Sequence, residues 1–160
     1  MGIGMKLTQY LVPERVWIKV EVANRNDLLA YLARQTAGCA LVPDEQEFFK
    51  LLIHREEEMS TGVGRGLAVP HADPPAMKST FLAAATLASP IDYQSFDRVS
   101  VDVVFMIFGC PDDTSLHLRL LARISRIARL PGFLDRLRQV QTTPDFLRVV
   151  EEAEQSLAPE

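Results

Sequence analysis

No apolar run in this sequence approaches the roughly 20 residues needed to cross a bilayer. The longest, FLAAATLASPI and VVFMIFGC, are short and interrupted, so no stable membrane insertion is expected. The N-terminus has neither the charged start nor the long apolar middle of a signal peptide. In MGIGMK, Lys6 stands where a myristoylation signal requires Ser or Thr. Cysteine is scarce: Cys39 and Cys110 form no close-spaced pair, which argues against a zinc ribbon or a disulfide framework. Positive charge is not in excess either. A net charge of −4 argues against broad nucleic-acid binding, which depends on a basic face to neutralise phosphates. These absences leave a cytoplasmic globular protein as the expectation.

What is present fits that expectation. With 160 residues, 48% of them hydrophobic and 24% charged, the chain is long enough to bury one real core. No repeat, low-complexity stretch or linker divides it, so residues 1–160 read as a single domain with a core over about 7–153. Val16, Ile18, Val20 and Val22 alternate as on a strand. Asn26 or Asp27 then caps a helix carrying Leu28, Leu29, Leu32 and Ala33, with Gly38 as its stop. A second helix starts at Asp44, with Glu47 at the reciprocal capping position. STFLAAATL and VSVDVVFMIFG read as two buried strands, joined by a connection in SPIDYQSFDR.

The clearest helix lies in PDDTSLHLRLLARISRIARL. Its Leu116, Leu120, Leu121, Ile124 and Ile127 recur at helical spacing, and Arg119, Arg123 and Arg126 share another face. A short helix in FLDRLRQV and a last one capped by Thr143, with Pro144 at its first position, complete the chain before a frayed Pro159–Glu160 end. Strands and helices alternate loosely, which predicts an α/β fold with a mixed β-sheet flanked by α-helices.

The stretch STGVGRGLAVPHADPP holds three glycines, a short strand at 67–69, a proline and a histidine. Bare glycine backbone can approach an anion closely, but the spacing and terminal Lys-Ser/Thr of a Walker A loop are missing. A tight turn before a strand explains the same residues. Pro70 is expected to end that strand and leave His71 at its rim, where a nucleophile, a general base, a metal ligand and a structural hydrogen-bonder are all open readings. His117, in the first turn of the strongest helix, suits either orienting a partner group or filling a hydrogen bond at the helix border. Arg55 has the fork that holds phosphate oxygens in a bidentate way. His54 and the glutamates Glu56, Glu57 and Glu58 read as a solvated helix end. Cys110 reads as a small buried hydrophobe, with nothing local to lower its pKa for thiol chemistry near His117. A metal-dependent hydrolase using His54, His71 and His117 lacks a carboxylate at metal-ligand spacing.

Taken together, REEEMSTGVGRGLAVPHA and LHLRLLARISRI resemble the phosphotransferase-system IIA domain of the fructose–mannitol type. LTQYLVPERV and NRNDLLAYLAR lean toward its stand-alone nitrogen-regulatory branch. The resemblance implies a mixed sheet flanked by helices, and a histidine phosphorylated by a small HPr-like phosphocarrier protein and then dephosphorylated by an acceptor. It makes His71 the phosphoacceptor, His117 the second active-site histidine bonding the phosphoryl oxygens, and Arg55 the arginine beside the pocket. Ser60, Thr61, Gly62, Gly64 and Gly66 would line the phosphate's approach. A IIB component or a regulatory target protein would be the further partner, and the scheme needs no metal or organic cofactor. The sequence departs from its relatives at Asp73, which follows His71 and Ala72 where a basic or polar residue is common. Beside a phosphorylated His71 it would repel the dianion by about 1 kcal/mol if screened by solvent. The alternative it motivates is a binding module that keeps the fold, does not transfer phosphoryl groups and controls partner proteins.

Overall fold

A computed structural model of the chain describes residues 5–39, 42 and 44–157. The first four residues and the Pro159–Glu160 end, both considered from the sequence, lie outside these. Six strands form one mixed sheet: β1 (Val16–Val20), β2 (Gly62–Gly64), β3 (Leu67–Ala68), β4 (His71–Ala72), β5 (Phe81–Ile91) and β6 (Val101–Phe108). Their order is β1-β5-β6-β3-β2, with β4 also paired to β6. β5 runs antiparallel to β6, while β3 and β4 run parallel to it. Five helices cover the faces: α1 (Arg25–Gly38), α2 (Glu45–Glu58), α3 (Thr114–Ala128), α4 (Phe133–Gln139) and α5 (Thr143–Ser156).

β6 is central because its sequence permits nothing else. All of VDVVFMIF is buried except the half-buried Asp102, and a strand apolar on both faces needs a layer against each. Successive side chains point to opposite faces. Val103, Phe105 and Ile107 therefore enter the core shared with α3, α4 and α5. Val104, Met106 and Phe108 enter the core shared with α1 and α2.

Several local boundaries differ from the sequence reading. α1 is capped by Asn24, whose side chain accepts the Asp27 N–H at 2.9 Å; Asn26 and Asp27 are in its first turn, and Gly38 is its last residue rather than its stop. Asp44 caps α2 as expected, accepting from the Gln46 and Glu47 N–H groups at 2.9 and 3.1 Å. α5 is capped by Thr142 through the Asp145 N–H, which frees the Thr143 hydroxyl to bond the Val16 carbonyl at 3.2 Å. β5 runs on through Ser89, Pro90 and Ile91, past the last β1 pairing of Val20 with Leu87. A proline costs no ladder bond there.

The arginine face of α3 is corrected too. Arg123 is buried, and its Nε donates to Glu154 Oε2 at 2.8 Å. Glu154, itself buried, also accepts the Leu7 N–H at 2.7 Å. The pair ties α3, α5 and the N-terminal turn at Leu7–Gln9 into one unit.

Candidate functional site

His71 owes its place to an interruption. β3 and β4 follow one another along the same side of β6, with Leu67 and Ala68 opposite Val103 and Val104, and His71 and Ala72 opposite Ile107 and Phe108. Between them Pro70 has no N–H to give, yet its carbonyl accepts the Ile107 N–H at 3.0 Å and the Ala72 carbonyl accepts that of Gly109 at 3.2 Å. The strand therefore resumes after Pro70 instead of ending there. His71 is thus a paired residue of a short edge strand, not the first residue beyond a strand's end.

The imidazole of His71 is held at both nitrogens. Nδ1 lies 3.1 Å from the Val69 carbonyl oxygen. A carbonyl can only accept, so Nδ1 carries the proton and Nε2 the lone pair. That lone pair accepts a hydrogen bond from Arg55 Nε at 2.9 Å, and Arg55 Nη1 donates to the Met59 carbonyl at 2.8 Å. The α2 end thus brings a guanidinium around the sheet edge onto Nε2 of His71. From the other face α3 brings His117, whose ring meets that of His71 edge-on, with centroids 4.8 Å apart and planes at 78°. Asp73 Oδ1 is 3.6 Å from His117 Nδ1. Arg55, His71, Asp73, Thr114, His117 and Leu118 line an open cleft of about 350 Å³.

Burial holds the His71 imidazole below the ordinary histidine value; the Val69 hydrogen bond works against that, and His117 and Arg55 push it down further. Burial, His117 and Arg55 favour an uncharged ring and outweigh the Val69 hydrogen bond and Asp73, which favour the charged one. A neutral histidine with a fixed tautomer carries a lone pair capable of nucleophilic attack, here capped by Arg55.

Next to Arg55 on α2, Glu56 is buried and not part of a solvated face. Its carboxylate accepts the Thr61 N–H at 2.9 Å and the Thr61 hydroxyl. The Thr61 hydroxyl is also 3.2 Å from that of Tyr93. Burial, with Glu56 close by, holds the Tyr93 phenol well above its usual range, so it stays protonated and donates. This network anchors the α2 end, and with it Arg55, to the start of the glycine stretch.

The glycines themselves form a hairpin. β2 pairs antiparallel with β3, and the turn between them puts Gly64, Arg65 and Gly66 at φ of 104°, 57° and 89°. A Cβ on Gly66 would stand 2.4 Å from Arg138 Nη2, and one on Gly62 would stand 2.0 Å from Ser95 Oγ. The Thr61 and Gly62 N–H groups are committed to Glu56 and to the Ser60 hydroxyl. The structure therefore brings Arg55, His71 and His117 together and places Ser60, Thr61, Gly62, Gly64 and Gly66 in a buttress outside the cleft lining.

His54 is apart from the cleft, exposed, with Nε2 at 3.2 Å from Glu58. Cys110 is half-buried and gives its N–H to Thr80. Among the described residues no group of three or more His, Cys, Asp or Glu side chains gathers as metal ligands would, and no helix is long and apolar enough to cross a membrane. Sequence reasoning missed the Val69 carbonyl, Glu56 and the facing of Asp73 toward His117. Only the last had a signal, an acid two residues from a candidate histidine.

The fold belongs to a known architecture. The fold matches the nitrogen regulatory protein IIA-Ntr of Neisseria meningitidis with a TM-score of 0.82 at 19% identity, covering 89% of this chain and 97% of that one. IIA mannitol from Escherichia coli matches with a TM-score of 0.73 at 15% identity, covering 86% and 96%. The chain belongs to the EIIA 2 family of the phosphoenolpyruvate-dependent sugar phosphotransferase system, which matches residues 9–153. Among its relatives, a nitrogen regulatory protein of Bradyrhizobium diazoefficiens is 33% identical over 84% of this chain and 87% of its own length. One of Pseudomonas aeruginosa is 30% identical over 91% and 95%.

Proposed function

We propose that this chain is a phosphoryl carrier whose acceptor is Nε2 of His71. The observation that carries the reading is the fixed tautomer: Nδ1–H bonded to Val69, and the Nε2 lone pair at the cleft under Arg55. In the transfer, that lone pair attacks the phosphorus of a donor phosphoprotein. The new N–P bond forms as the donor's bond to phosphorus breaks, and the electron pair returns to the donor. Arg55 gives up its hydrogen bond to Nε2 and turns its fork onto the phosphoryl oxygens. His117, beside the same ring, supplies a second polar group to them. Transfer of this kind is mainly positioning and charge stabilisation. The 15-residue helix α3 also directs its positive end at the cleft, which Thr114 lines.

Partners follow from the chemistry. The donor is an HPr-like phosphocarrier, and the acceptor is a IIB component or a regulatory target. One similar fold is that of enzyme IIA mannitol in complex with phosphorylated enzyme IIB mannitol from Escherichia coli, with a TM-score of 0.73. The exposed Leu118 at the cleft and Met59, whose carbonyl holds Arg55, offer apolar surface to such a partner. The two nitrogen regulatory proteins, at 33% and 30% identity over 84% and 91% of the chain, support a regulatory role as the first reading, with a sugar-uptake component as the second. The experiment is incubation with labelled phosphoenolpyruvate and the phosphocarrier proteins. Label is expected on the wild type and absent from His71→Ala; full labelling of His71→Ala overturns the assignment.

A further inference from the structure

We infer that Asp73 is a positioning residue for His117: its carboxylate selects the ring form with the proton on Nδ1, and so makes Nε2 the nitrogen His117 offers to a phosphoryl group. The inference deepens the carrier reading above and rests on it for its chemistry.

The two histidines are held alike by different groups. His71 gives its Nδ1 proton to the Val69 carbonyl. His117 Nδ1 lies 3.6 Å from Asp73 Oδ1, beyond a hydrogen bond but within ion-pair range, so the carboxylate acts on it as a charge. A ring with its lone pair on Nδ1 would set that lone pair against an anion; a proton there turns repulsion into attraction. The side chains are 14% and 38% exposed, so water only partly screens the contact. The other titratable or charged side chains lining the cleft are Arg55 and His71. On His117's own helix the cap residue Asp113 is committed to the Leu116 N–H. No other acid in the cleft lining competes with Asp73 for Nδ1.

The consequence appears when a phosphoryl group sits on His71. Its oxygens need donors, and His117 Nε2 acquires one by taking a proton from a singly protonated phosphoryl oxygen. One N–H bond forms as one O–H bond breaks. The imidazolium so made lies between the Asp73 carboxylate and the phosphoryl oxygens and returns the proton as a hydrogen bond. An acid that would repel a phosphoryl dianion directly is thereby separated from it by a cation.

The test uses the full chain and phosphoramidate, a small donor that phosphorylates histidine without a partner protein. Two-bond nitrogen–proton NMR correlations on the neutral rings read each tautomer. Wild-type His117 is expected as Nδ1–H. Asp73→Asn has the same shape without the charge and is expected to shift His117 toward Nε2–H. His71 should stay Nδ1–H in that variant, reporting an intact fold and Val69 contact. Phosphorylation of His71 in Asp73→Asn should slow about tenfold, as for loss of a charge-assisted contact. A wild-type His117 carrying Nε2–H, a tautomer indifferent to Asp73→Asn, or a rate unchanged or raised in that variant each overturns the inference. Should phosphoramidate label no variant, wild type included, the carrier reading falls, and the tautomer spectra still decide for or against Asp73.

Discussion

Replacing Arg55 separates two effects that the structure superimposes on His71, a charge and a fork. Arg55 Nε is 2.9 Å from His71 Nε2 and Nη1 is 2.8 Å from the Met59 carbonyl. Arg55→Gln removes the charge. Two unit charges about 4 Å apart interact by ~1 kcal/mol in bulk water and ~4 kcal/mol at an effective dielectric of 20. The cleft is open and the arginine half-exposed, so the repulsion of a protonated His71 falls toward the lower figure, ~1–2 kcal/mol. The His71 pKa should rise when that repulsion is removed, while burial, the largest cause, goes on holding it down. Arg55→Lys keeps the charge but cannot hold the carbonyl and the ring, or two phosphoryl oxygens, at once. It should leave the His71 pKa low yet slow phosphorylation about 10- to 100-fold, the worth of a charge-assisted hydrogen bond. The assay is an NMR titration of the His71 ring alongside the rate of label uptake. If Arg55→Gln leaves the titration unmoved, or Arg55→Lys transfers at the wild-type rate, the account of Arg55 is wrong.

The remaining expectations concern the support around the site. His71 binds protons less readily folded than unfolded, so its contribution favours the fold at higher pH; stability should fall as pH drops below the unfolded value of about 6.5, and His71→Gln should flatten that part of a urea-denaturation pH series. Gly66→Ala sets a Cβ against Arg138 at a positive φ and should cost about 1–3 kcal/mol in denaturant melts. Arg123→Met strands the buried Glu154 carboxylate and should cost about 3–5 kcal/mol; adding Glu154→Gln should recover part of it, measured by the same melts. Phe108→Ala opens the α1–α2 core and should cost about 3–5 kcal/mol.

The parts of this fold that the sequence made legible are those governed by local rules. β6 is apolar on both faces, α3 repeats its leucines and isoleucines at helical spacing, and Asp44 stands before an amphipathic run. What escaped depends on contacts between distant residues. Arg123 looks like a surface arginine until Glu154, 31 positions away, meets it in the interior. Glu56 sits in a run of three glutamates, and only the approach of Thr61 and Tyr93 marks it as the buried one. The glycines were ambiguous because a phosphate cradle and a crowded hairpin both call for a missing Cβ; Ser95 and Arg138, which crowd Gly62 and Gly66, lie far along the chain. Arg55, His71 and His117 were named from the motif, but the tautomer of His71 rests on a backbone carbonyl that no side-chain pattern reveals.

The interrupted edge formed by β3 and β4 has a consequence for quality control. His71 is anchored where two separate cores meet, and each core contributes one neighbour: Arg55 on α2 belongs to one layer and His117 on α3 to the other. Loosening either layer removes one of these neighbours from the histidine. On the proposed carrier role, disrupting either layer should therefore lower phosphoryl uptake, so that the competence of the cleft reports on both layers.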